Sequence, residues 1–178
     1  MALPITLSEI GPRISAGAFI LNSGLGKRAA DDQTAAGLHG FASGSYPFLK
    51  GVEPKQFVQA LSTAEIAVGA ALLTPFVPTA LAGAVLTGFA GGLLGLYLRT
   101  PGMRQEGSLA PTEQGLSIAK DVWLLGIGVG LLTRGTVDRG STRVQKAART
   151  LAKANRRVSK AERKAERKAE RRAARAAA

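Results

Sequence analysis

The sequence predicts an all-α polytopic membrane protein, a four-helix bundle followed by a basic C-terminal cytoplasmic helix. Three observations carry that prediction. Four windows in residues 1–133 approach the length of apolar helix a bilayer demands, roughly 20 residues at about 1.5 Å each. Charge is segregated: residues 1–133 hold eight basic and eight acidic side chains, whereas residues 134–178 hold sixteen basic and four acidic, the whole net charge of +12. Glycine is abundant, with 22 residues, as close helix packing in lipid favours. The chain therefore divides into a neutral apolar membrane domain, 1–133, and a basic tail, 134–178.

Composition excludes several chemistries. There is no cysteine and a single histidine, His39, so disulfides, thiol catalysis, Cys-ligated metals and His-rich metal sites are ruled out. No intrinsic cofactor loop is recognisable and no catalytic residue is assigned. The chain is not expected to be an enzyme by itself.

The N-terminal MALPITLSEI has no basic region of the secretory kind, so the apolar segments are expected to remain in the mature protein. The first span is placed at Pro4 to Gly26, interrupted by Glu9 and by Gly11, Pro12 and Arg13; its apolar core, ISAGAFILNSGLG, is short for a crossing. Residues 27–53 form a mixed segment whose Phe41, Tyr46, Phe48 and Leu49 suit either a short interfacial helix or an ordered extramembrane loop. The second span runs from Pro54, a good first-turn residue, to Pro75. Pro75 and Pro78 bracket a tight turn, so the second and third spans form an antiparallel hairpin. The third, Pro78 to Leu98, carries no charge and ends at Tyr97 and Arg99, an aromatic and a cation suited to the headgroup layer. Thr112 is the expected N-cap of the fourth span, Thr112 to Thr133. The basic tail sets orientation, and four spans then place both termini in the cytoplasm.

Gly88 with Gly92, Gly91 with Gly95, and Gly126 with Gly130 each stand four apart, the spacing that lets helix backbones approach. They are expected to pack the bundle.

Four charges approach the midplane of these spans. Lys120 and Asp121 lie about 12 to 14 Å below the outer surface, Glu65 about 16 Å, and Arg13 about 14 Å from the inner one. A single charge at such depth costs roughly 2.5 to 3.5 kcal/mol, so each requires a partner or water. Adjacent helical residues point about 100° apart, so Lys120 and Asp121 need partners on other helices. Glu65 suits Lys120 and Arg13 suits Asp121, although the opposite pairing is open; Asn22 and Ser23 add hydrogen bonds if turned inward. Two roles stay open for the cluster: locking helix register, or lining a pocket for a polar or quinone-like headgroup.

The tail repeats Ala-Glu-Arg-Lys in SKAERKAERKAERRAARAAA, a composition of strong helix formers. Its only apolar stripe is alanine, too small to drive a coiled coil. A solvated helix or attachment to anionic lipid headgroups, at about 1 kcal/mol per basic residue, fits it better than a nucleic-acid partner.

In order, PRISAGAFILNSGLGK, AEIAVGAALL, the glycine-rich span ending YLRTPGM, and AKDVWLL resemble the DoxX-like family of small four-helix bacterial membrane proteins. The resemblance covers about residues 10–133; the 27–53 segment and the basic tail depart from the family pattern. It implies a bacterial inner-membrane bundle and a non-catalytic subunit or anchor for a redox, quinone-linked oxidoreductase. Carried over, its polar positions are Arg13, Lys27, Glu65, Lys120 and Asp121. The alternative is a small-ligand or quinone binding or transport protein.

Overall fold

The computed structural model describes residues 5–137 together with 140, 146, 148–150 and 153. Pro4 and most of the basic tail expected at 134–178 lie outside the described residues. The chain divides into two units, Met1–Thr136 and Val137–Ala178. The first unit holds the helices that position the polar residues.

That unit is helical. Helix α1, Leu7–Arg28, begins at Thr6, whose side chain and that of Glu9 form a reciprocal capping box, three residues later than the expected start. It runs through Gly11, Pro12 and Arg13 without interruption, correcting the broken first span. Pro12 is the sixth residue of the helix, so it forfeits the one i→i−4 bond that its amide would have made to Ser8 O, and the helix continues past it. Helix α2, Asp32–Ser45, is capped by Asp31, which accepts from the Thr34 amide at 2.8 Å. A 3-10 turn, Pro47–Gly51, follows. The 27–53 segment is thus an ordered helical element, and it packs on α3 and α4.

Helices α3, Pro54–Leu73, and α4, Thr79–Arg99, begin and end within a few residues of the expected spans. The turn between them closes with Val77 N donating to Thr74 O at 3.2 Å. Helix α5, Glu113–Ala119, is capped by Thr112 as expected, its hydroxyl accepting from Gly115 N at 3.1 Å. The fourth span is not continuous. Lys120 and Asp121 form a turn before helix α6, residues 122–137. There the bonds tighten to i−3, with Asp121 N on Ile118 O at 2.9 Å and Leu124 N on Asp121 O at 3.0 Å, as in a 3-10 step.

Three helical stretches, Pro54–Leu73, Thr79–Arg99 and Glu113–Val137, are long and apolar enough to cross a membrane. Their outward faces carry Leu81, Val85, Leu98, Val122 and Val129, all exposed, as lipid contact requires and water would penalise. α1 is also long enough at 22 residues. Its composition, with Glu9, Arg13, Lys27 and Arg28, keeps it out of that group.

α1 runs antiparallel to α3: Gly17 meets Leu72 and Leu73, Gly69 meets Leu21, and Gly24 meets Glu65 and Ile66. α4 runs antiparallel to α6, with Gly83 against Gly128, Leu131 and Leu132, and Gly135 against Ala80. One buried cluster draws on all four: Ala16 and Ile20, Val68 and Leu72, Ala82, Leu86 and Ala90, Leu124 and Leu131.

The glycines at the helix crossings are therefore not the expected ones, and of the expected six only Gly95 makes a close contact. A Cβ on Gly88, Gly91, Gly92, Gly126 or Gly130 would meet nothing within 4 Å, and one on Gly95 would meet only the Tyr46 side chain. Apart from Gly95, which admits Tyr46, the members of the four-residue pairs face outward. Gly17 and Gly24, like Gly128 and Gly135, stand seven apart, nearly two helical turns, so each pair stays on one stripe along a shallow antiparallel crossing.

Tyr97, expected at a headgroup layer, is buried, and its hydroxyl donates to Leu109 O at 2.7 Å beneath the 100–112 loop. Arg99 instead lies over the Tyr46 ring, 5.2 Å from its centroid.

Candidate functional site

The polar residues separate into two groups, one at the C-terminal end of α3 and one at its middle. At the C-terminal end, Arg13 is buried, and its guanidinium donates to the carbonyls of Leu72 at 2.8 Å, Ala71 at 3.1 Å, Thr74 at 2.8 Å and Val77 at 3.2 Å. It caps α3, because the last carbonyls of a helix have no intrahelical donor and a planar five-donor group can serve several at once. Glu9 lies at the same end. It accepts from the Thr79 hydroxyl at 2.8 Å and pairs with Arg134 Nε at 3.1 Å. Arg13 is thus not the partner of Asp121. Arg134, assigned to the tail from sequence, ties the end of α6 to the start of α1.

At the middle of α3, Lys27 Nζ donates to Glu65 Oε2 at 2.9 Å and to Ser23 Oγ at 2.6 Å. Ser23 and Lys27 are four apart and lie on one face of α1, which the Gly24 contact with Glu65 brings against α3. The expected Glu65–Lys120 pair does not form, since Glu65 is already held by Lys27. Lys120 is exposed, and so is Asn22, which points away from Ser23 around the helix.

Between these helices lies a cavity of about 320 Å³. Its polar wall is Ser23, Lys27, Glu65, Ser117, Lys120 and Asp121, so four of the expected residues share one chamber while Arg13 and Asn22 stand apart. The remaining lining is apolar, including Phe19, Phe41, Phe57 and Phe89, four of the chain's six phenylalanines. The break at Lys120 and Asp121 sits on the wall. Asp121 Oδ1 is buried and has no hydrogen-bond partner among the described residues.

Helix α2 covers one side through Leu38, Phe41 and Ala42. It is fastened to α4 by Tyr46, whose hydroxyl donates to Gly92 O at 2.9 Å, a reach that Gly95 permits by lacking a side chain. His39 secures the following turn, its Nε2 lying 2.9 Å from Leu49 O and its ring edge-on to Phe57 at 5.5 Å.

The aromatic lining was not read from the sequence, because each phenylalanine is an ordinary core residue until the helix rotations are known. Lys27 was marked only through the family resemblance. Its spacing of four from Ser23 is the one local signal that placed both on a common face.

Fold and site together define a class: a protein helical throughout its described residues, with three helical stretches long and apolar enough to cross a membrane and a half-polar, half-aromatic cavity between its helices. Comparison with known protein families, with curated proteins and with solved structures matches this chain to none of them.

Proposed function

We propose that this chain is a membrane-embedded binding protein for a small amphipathic molecule, with α1 joining the three apolar stretches as the fourth member of a membrane bundle. The observation that carries the reading is the cavity, which sets the Lys27–Glu65 pair and Asp121 opposite a lining of phenylalanines. Ligand sites are typically apolar chambers of roughly 300–1,000 Å³ with a few convergent polar groups. At about 320 Å³ this one suits a single ring or headgroup rather than a large cofactor.

The DoxX-like resemblance supports the same ligand class. Four of the five positions it marks, Lys27, Glu65, Lys120 and Asp121, line the chamber. A quinone-like headgroup with an apolar substituent fits that division. In this reading the protein resides in a bacterial inner membrane with both termini cytoplasmic, and it serves a redox partner by holding a lipid-soluble substrate. The sixteen basic residues of 134–178 would hold the tail to anionic lipid. Salt-sensitive binding of a synthetic 134–178 peptide to anionic vesicles tests that attachment.

Native mass spectrometry of the full chain released from mild detergent tests the main reading. The expected result is a bound lipid-soluble molecule of low mass, lost when Leu93 on the cavity wall is replaced by Trp to fill it. An empty protein in stoichiometric complex with an oxidoreductase would instead favour a structural anchor.

A further inference from the structure

Tyr97 is buried, so the aromatic that the sequence places at a headgroup layer does not come from the end of α4. The 3-10 turn Pro47–Gly51 and the two residues before it bring other aromatics to that level. Ser45 Oγ and Thr100 Oγ1 lie 2.6 Å apart, which fastens the segment at the end of α4. Tyr46 donates its hydroxyl to Gly92 O at 2.9 Å, and Gly92 is exposed on α4, seven residues or about 10 Å short of Arg99. The Arg99 guanidinium stacks over the Tyr46 ring at 5.2 Å, and the Phe48 ring lies beside it at 5.7 Å between centroids. Both rings therefore sit against the last two turns of a helix long and apolar enough to cross a membrane. Phe48 is 77% exposed.

Depth and charge decide what covers that ring. Phe41 of the same segment lines the cavity, whereas Phe48 is not on its wall. Leu98, on the last turn of α4, and Leu109, whose carbonyl accepts from Tyr97, add exposed apolar surface near the same end. Lys50, two residues beyond Phe48, and Arg99 are exposed, and neither has an acidic partner among the described residues. Aromatic rings at the boundary of the hydrocarbon, with long cationic side chains whose stems lie on apolar surface and whose heads reach outward, match the layer where acyl chains meet phosphates. An unpaired guanidinium or ammonium finds its acceptor in a lipid phosphate. A soluble protein stops above the headgroups, while Gly92 lies below the end of the helix, so lipid is the occupant that fits.

We propose that the Tyr46–Lys50 segment is a lipid-contacting foot, with Phe48 resting at the base of the phospholipid headgroup layer beside α4 and with Lys50 and Arg99 holding phosphates. This rests on α4 being a membrane helix and is independent of what the cavity holds.

The test puts a fluorophore on the foot. Trp123 is the only tryptophan, so Phe48→Trp in a Trp123→Phe background reports from residue 48 alone. The full chain is reconstituted into phosphatidylcholine vesicles brominated either high or low on the acyl chain, with iodide as the aqueous quencher. In the unaltered chain Trp123, 37% exposed on α6, reports whether the helices have entered the bilayer. Residue 48 is expected to be quenched about twofold more by bromine high on the chain than by bromine low on it, and only weakly by iodide. Strong iodide quenching of residue 48, with Trp123 still quenched by bromolipid, overturns the foot and leaves the membrane reading standing. Bromolipid quenching of neither position overturns both. Stronger quenching by the deep bromine overturns the headgroup-level placement, and protection of residue 48 from both quenchers overturns lipid as its occupant in favour of another protein chain. Lys50→Gln with Arg99→Gln should raise iodide access to residue 48 about twofold; unchanged access removes the cations from the anchor. A nitroxide on Phe48→Cys, unique because the chain has no cysteine, repeats the depth measurement without a tryptophan beside Tyr46.

Discussion

Lys27 Nζ lies 2.9 Å from Glu65 Oε2 and joins the last turn of α1 to the body of α3. Glu65 is almost wholly buried while Lys27 keeps a partial opening, with side-chain exposures of 5% and 23%. The pair therefore holds a carboxylate in an apolar wall with a cation that still reaches the chamber. Removing one member leaves the other unbalanced, whereas replacing both with apolar groups does not.

Glu65→Leu and Lys27→Met should each lower thermal stability in detergent, Glu65→Leu by about 1–3 kcal/mol. The double variant should be more stable than the sum of the two losses. A thermal-unfolding double-mutant cycle measures the coupling, and simple additivity would exclude a functional ion pair.

Arg13 and Asp121 share no partner, one capping α3 at its C-terminal end and the other lying on the cavity wall. Arg13→Gln and Asp121→Asn should therefore add in the same kind of cycle, to within about 0.5 kcal/mol. Strong coupling would restore the direct pairing that the sequence suggests.

The guanidinium of Arg13 serves four carbonyls, and a lysine presents a single rotating ammonium in its place. Arg13→Lys should cost about 1–2 kcal/mol, as part-buried carbonyls at Ala71, Thr74 or Val77 lose their donor. Hydrogen exchange of the last turn of α3 should rise before that of its centre.

Gly83 and Gly88 lie on the same helix and should respond oppositely to alanine. A Cβ at Gly83 would collide with the Leu132 backbone, whereas one at Gly88 meets nothing within 4 Å. Gly83→Ala should destabilise by about 1–3 kcal/mol through overpacking, and Gly88→Ala should be neutral or stabilise by up to about 1 kcal/mol through helix propensity. Unfolding midpoints in one detergent decide between them.

The Asp31 carboxyl is held below its ordinary range by hydrogen bonds from the Thr34 hydroxyl and then its backbone amide. A depressed native pKa means the cap contributes above the unfolded pKa and is lost as pH falls through the native one. Protection factors of the first α2 amides should therefore fall on acidification below the usual carboxylate range, and Asp31→Ala should remove that dependence.

The positions of α3, α4 and the last helical stretch were legible because apolar length, Pro54, the Pro75–Pro78 turn and the Thr112 cap are local properties of the chain. α1 was harder to read. Pro12 and Arg13 look like an interruption in sequence, yet the capping box at Thr6 and Glu9 starts the helix ahead of them and the α3 carbonyls receive the arginine. The candidate site was legible as a set of charges at depth, but not as pairs. The four-apart glycines were misread for the same reason: spacing shows that two residues share a stripe, not which neighbour that stripe faces.

The sequence by itself determined the helical class, the neutral body with its basic tail, and three of its four expected spans as stretches long and apolar enough to cross a membrane, because length and composition suffice for those. Only the tertiary structure decided that Glu65 belongs to Lys27, that Arg13 caps a helix, that α2 closes a chamber of phenylalanines and that Asp121 sits there at a break with an unmet acceptor. Each of those depends on the rotation of a helix about its axis and on what packs beside it. Neither quantity is written in the residues one span at a time.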